Sequence, residues 1–166
     1  SINRFMKWFL RSTLILFLPL LFIVYCVSCN LKKSSAVVLD VAAAPFQKLS
    51  EYNFFGGVIN ELKPNAGVVP YDLITPLFTD YAHKARFVYL PQGKFAEYDT
   101  SKVLDFPVGS CLIKNFYYPE DFRVKNGKRK IMETRLLVHR EKAWEALDYV
   151  WNEEQTDALL ENAGDI

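Results

Sequence analysis

Residues 129–140 read RKIMETRLLVHR, and their alternation is what first identifies the chain as β. On an extended backbone successive side chains leave on opposite sides. Apolar Ile131 then shares a side with polar Glu133 and Arg135, while Met132, Leu136 and Val138 share the other. The alternation is imperfect and assigns no inward face. A partner lies just upstream in FPVGSCLIKNFYYP (106–119), where Pro107 to Gly109 marks a turn and a β-rich run follows. Between the two runs, Asn126-Gly127 within KNGKRK (125–130) is a hairpin-turn signal. The basic residues around it read as a solvated turn rather than a binding patch.

Outward from this hairpin, ARFVYLP (85–91) alternates as a strand, and PQG turns it toward KFAEYDT (94–100), the expected partner strand. ALDYVWN (146–152) reads as a further strand. The tail 153–163 has two readings: a short helix capped by Asn152 and Gln155, or a hairpin strand from Asp157 to Glu161. Upstream, YNFFGG ends in a glycine pair, and Pro64, Pro70 and Pro76 forbid a long helix or a central strand. The expected fold is mainly β: an antiparallel, sandwich-like domain with an irregular aromatic N-terminal wrap, preceded by an apolar signal helix.

The N-terminal stretch gives an address. Leu14 to Val27 is an unbroken apolar run with Lys7 and Arg11 before it and no acid within it, the layout of a secretory signal. It is shorter than the roughly 20 residues of a spanning helix and contains Pro19. Cys26 and Cys29 form a CxxC, yet no thioredoxin-like βαβ context and no second ligand pair accompanies it. Ser28 before Cys29 suits signal cleavage, so the stretch resembles a bacterial lipobox with Cys29 as the lipidated residue. Cys26 departs from the aliphatic residue such sites carry three places earlier. Asn30 in place of an aspartate favours the outer membrane. The organisation expected is a signal peptide over 1–28, a tether over 29–47 and an aromatic-rich β domain over 48–166. Met6 makes a better start for such a signal than Ser1.

Without residues 1–28, which hold Arg4, Lys7 and Arg11 and no acid, the 20 basic residues fall to 17 against 19 acidic ones. That near-neutral balance does not point to nucleic acid. Candidate chemistry is sparse. Glu133 and Arg135 read as a same-face ion pair. Asp72 and Asp80, near Thr75 and Thr79, read as turn and cap residues. His83 and His139 stand far apart, and Cys111 reads as an inert buried thiol. No nucleophile elbow or phosphate loop occurs.

Three blocks, VPYDLITPLFTDYAHKARFVYLP (69–91), FPVGSCLIKNFYYP (106–119) and ETRLLVHREKAWEALDYVWNEEQTDALL (133–160), resemble in order and spacing the N-terminal module of a family of bacterial exported di-haem c-type cytochromes. The resemblance spans 49–160. It implies a periplasm-facing, non-catalytic module joined to or docked on a c-type haem domain in electron transfer, some members having a parallel β-helix protein as partner. The family pattern continues past Gly164 into a CxxCH haem site. No such set occurs up to Ile166, so the chain itself is expected to bind no haem and no metal, with haem c carried by a missing downstream segment. A fainter likeness to β-rich cytochromes with a lysine-cross-linked haem would single out Lys114. Tyr117, Tyr118, Trp144, Tyr149 and Trp151 either pack on a haem domain or fill this domain's own core. The reading from a different class is a surface lipoprotein module that binds a glycan or a protein.

Overall fold

The computed structural model describes residues 36–75, 81–121, 123–124 and 127–161, all within one compact unit, Ser34–Ile166. Six strands follow one another in a single antiparallel sheet in chain order: β1 (Val68–Tyr71), β2 (His83–Tyr89), β3 (Cys111–Pro119), β4 (Arg129–His139), β5 (Trp144–Trp151) and β6 (Ala158–Glu161). The mainly β, antiparallel expectation therefore holds. Among the described residues the layer over the sheet's core face is the irregular aromatic wrap, and there is one sheet rather than the two of a sandwich. The signal helix expected over 1–28 lies outside the described residues, and no described helix is long and apolar enough to cross a membrane.

The imperfect alternation of RKIMETRLLVHR has a backbone cause. Phe116 faces Glu133 but Tyr117 faces Ile131, so Met132 is an extra residue on β4 and the register shifts there. This β-bulge resets the phase. Ile131 is buried on one side of it and Thr134, Leu136 and Val138 on the other, all pointing into the core. Below the bulge β5 no longer pairs with β4, whose last partner is Glu133. Gln155 takes over: its Oε1 accepts the Ile131 N–H at 2.6 Å and its Nε2 donates to the Ile131 carbonyl at 2.9 Å. The side-chain amide thus substitutes for a neighbouring strand.

The buried face joins Phe87, Cys111, Ile113, Leu136, Val138, Leu147, Tyr149 and Ala158 to the wrap's Leu49, Tyr52, Phe54, Phe55, Ile59 and Leu62. Each fully buried side chain of this size contributes about 1.5–3 kcal/mol before chain entropy. The rings interlock, Tyr52 stacking on Phe54 at 5.1 Å and meeting Tyr149 edge-on at 6.0 Å. A 3₁₀ turn at Leu49–Tyr52 carries much of this set, and Asp157 in the β5–β6 turn fixes it by accepting from Ser50 N and Oγ.

The described part of the expected tether, 36–47, also packs on the body. Val37, Leu39 and Phe46 lie against the core, and Arg140 Nη1 donates to the carbonyls of Asp40, Val41 and Ala43 at 2.9–3.0 Å. Gln47 and Lys48 pair with β6 at Leu160 and Leu159.

Two further expectations change. KFAEYDT (94–100) is not a strand, having only a single bridge from Glu97 to Asp105. Phe95 and Tyr98 are exposed, so the segment has no apolar surface to pair over. The tail adopts the second of its two readings, forming β6. Gly109 makes the turn before β3 with φ of 90°, and a Cβ there would meet Pro91 at 3.0 Å.

Candidate docking face

Among the described residues no strand covers the other face of the sheet, and the register writes out its rows. One row is Val69–Val88–Leu112–Leu137–Ala146. The next is Tyr71–Arg86–Lys114–Arg135–Asp148–Glu161, basic in the middle and acidic toward β6. A third runs Lys84–Phe116–Glu133–Val150–Leu159. Val69, Leu137, Val150, Leu159 and the bulged Met132 are exposed.

The basic residues sit directly opposite one another on β2, β3 and β4. Like charges in that position repel. Arg135 is compensated: it pairs with Glu133 at 2.8 Å and Asp148 at 3.4 Å. Phe116 offers its ring to Lys114 Nζ at 4.6 Å and to the Arg135 guanidinium at 5.0 Å. Lys114 is held below the usual lysine value, first by burial and then by Lys84, Arg86 and Arg135. Arg86 is only 8 % exposed, and no ion pair or hydrogen bond reaches its guanidinium from the described residues. Among those residues no side-chain nitrogen sealed from solvent lacks a partner.

At the upper margin of the face the His139 and Trp144 rings stack at 4.4 Å, and His139 Nδ1 lies 2.7 Å from the Phe106 carbonyl, to which it donates. His83 lies at the other end of the sheet, its ring 5.5 Å from Tyr117. The two histidines are not brought together. Among the described residues no group of three or more His, Cys, Asp or Glu could hold a metal ion.

A cleft of about 1100 Å³ opens beside His83 between the wrap and the β3–β4 end, lined by Glu61, Tyr117, Arg123, Arg129 and Gln155 among others. Three of its polar side chains serve its own walls. Arg129 donates to the Asn60 and Glu61 carbonyls, Arg123 pairs with Asp121, and Gln155 completes β4.

The remaining residues singled out by the sequence fall as follows. Glu133 and Arg135 form the expected ion pair. Cys111 is a fully buried free thiol, its ionisation pushed well up by burial. Lys114 stands on the open face beside Phe116. Asp72 and Thr75 are exposed beyond β1, while Asp80, Thr79, Cys26 and Cys29 lie outside the described residues. The five aromatics divide: Tyr149 and Trp151 are core, Tyr117 packs on its edge, and Tyr118 and Trp144 are exposed.

Sequence reasoning did not find Arg86, because only strand register sets it against Lys114. No family model, curated protein or solved structure matches the chain.

Proposed function

We propose that the chain is an exported, Cys29-lipidated, non-catalytic module that docks a c-type cytochrome domain through the open face of its sheet, in electron transfer on the periplasmic side of the cell envelope, with the outer membrane as its anchoring site. The observation that carries the docking part is the contrast between the two faces. One is closed by the chain's own aromatic wrap; the other offers exposed Val69, Leu137, Val150 and Leu159 around a cationic centre. A patch of apolar side chains with charged residues among them is the composition of a protein-contacting surface.

The cytochrome identity of the partner and the location of haem c in a downstream segment rest on the three resembling blocks between 69 and 160. The lipid anchor rests on the apolar run before Cys29. The test of the anchor is palmitate labelling in an expressing bacterium. Label is expected in the wild type and absent in Cys29→Ala; equal label in both removes the anchor.

A further inference from the structure

Extending the docking reading, we infer that the open face carries an anion subsite at Arg86 and Lys114, built to receive an acidic side chain from the partner protein. The cross-strand pairing sets the two cations directly opposite each other, at Cβ separations of about 4.5–5.5 Å. The next residue in the row, Arg135, adds a third charge, but it already has Glu133 and Asp148. Arg86 and Lys114 form no ion pair among the described residues, and the carboxylate of Glu133, already paired with Arg135, acts on Lys114 only as the weakest of its neighbouring charges. Arg86 is nevertheless more than nine-tenths buried, and none of its side-chain nitrogens is both sealed from solvent and without a partner.

Burying an arginine beside a lysine costs stability unless an anion completes the arrangement. Local violations of this kind mark functional sites. The geometry also defines the anion's setting. Arg86 offers a planar fork of donors that suits a carboxylate, Lys114 a point charge beside it, and Phe116 an apolar wall.

The face favours a protein over an anionic lipid surface. Along the same row Asp148 and Glu161 follow the cations, so a uniformly negative plane would be repelled at the β6 end. A partner segment can instead place acid over Arg86 and Lys114, leaving apolar contacts for Val88, Leu112 and Leu137 in the adjacent row.

The test uses the full chain and fluorescein-labelled octaglutamate as probe, followed by anisotropy, with octaglutamine and phosphatidylglycerol vesicles as the other arms. Octaglutamate is expected to bind and to weaken as salt rises, because the contact is ionic. Arg86→Gln and Lys114→Gln should each reduce binding roughly tenfold, while Lys128→Gln should leave it unchanged. Lys114→Gln should also keep or raise the melting temperature at low salt, since it relieves a like-charge pair. Equal binding by wild type and Lys114→Gln overturns the subsite. So does binding of vesicles without octaglutamate, or of octaglutamine as strongly as octaglutamate. A negative result here leaves any protection of Met132, Trp144 and Leu159 from hydroxyl radicals in the native membrane fraction untouched, so the subsite and the docking reading on which it rests fail separately.

Discussion

Thr134→Val is the sharpest test of how the core is held together. Thr134 is fully buried in the middle of β4. Its hydroxyl donates to Asn115 Oδ1 at 2.6 Å and accepts from Trp151 Nε1 at 2.9 Å. Asn115 Nδ2 donates onward to the Ala85 carbonyl at 3.3 Å. One hydroxyl thus links β2, β3, β4 and β5 inside an apolar core. Valine has nearly the same shape and is at least as good a strand former, so packing and propensity change little.

What changes is satisfaction. The Trp151 N–H and the Asn115 carbonyl oxygen both lose their partner where water cannot reach. Each unsatisfied buried group costs about 1–3 kcal/mol. The expected loss is therefore about 3 kcal/mol, or roughly 10 °C in melting temperature for a domain of this size. Thr134→Ser keeps the hydroxyl and gives up one methyl, at about 1 kcal/mol. The order is the diagnostic: serine should be more stable than valine, against the ranking by hydrophobicity. Urea unfolding followed by far-ultraviolet circular dichroism measures both. A valine variant as stable as wild type, or more stable than the serine variant, refutes the claim that this hydroxyl is a structural link.

Two further outcomes follow from other buried groups. Arg140→Ala removes the donor to three carbonyls of the 40–43 segment and the ion pair to Glu145 at 2.7 Å. Chymotrypsin should then cut after Leu39 or Phe46 well before the sheet, with Arg140→Lys intermediate; unchanged cleavage would show that apolar packing alone holds the segment. The second outcome concerns alkali. Tyr52 and Tyr149 have raised ionisation values, burial being the first cause in each, and their hydroxyls lie 3.1 Å apart. Cys111 is raised in the same direction.

For groups held neutral in this way the unfolded chain loses protons first. Their stabilisation is complete below the ordinary values, near 8.5 for a thiol and 10 for tyrosine, and is lost as pH rises above them. The urea midpoint should fall from about pH 9 upward, by at most about 1.4 kcal/mol per pH unit per group. Tyr52→Phe should flatten the tyrosine part, and a midpoint that stays level to pH 11 would contradict the assignment.

Much of the sheet was legible because local pattern and tertiary burial agree in β3 and β5, whereas in β2 neighbouring Arg86 and Phe87 are both buried. In β4 they agree only on either side of Met132. A one-residue insertion reverses which parity faces the core, and no single period describes the strand. KFAEYDT has β composition without a surface to cover, which is why Phe95 and Tyr98 remain in solvent. The second layer was legible as an irregular wrap because its prolines and glycine pair forbid regular elements while its aromatic density signals burial. Cys111 could be read correctly from its apolar neighbours alone. Gln155 and Asn115 could not, since a polar side chain that completes a distant strand looks like any loop or edge residue. The Arg86–Lys114 pair was equally hidden. Each is an unremarkable cation on an alternating strand until register sets them face to face.

The central claim, that the sheet face opposite the aromatic wrap is occupied by a partner in the cell, is most directly tested by hydroxyl-radical footprinting of the full chain, once purified and once in its native membrane fraction. Met132, Trp144 and Leu159 on that face are expected to oxidise in the purified protein and to be protected in the membrane fraction, while Phe95 and Tyr98 in the β2–β3 connection oxidise equally in both. Equal oxidation of the face in the two samples, or protection confined to Phe95 and Tyr98, would contradict the account.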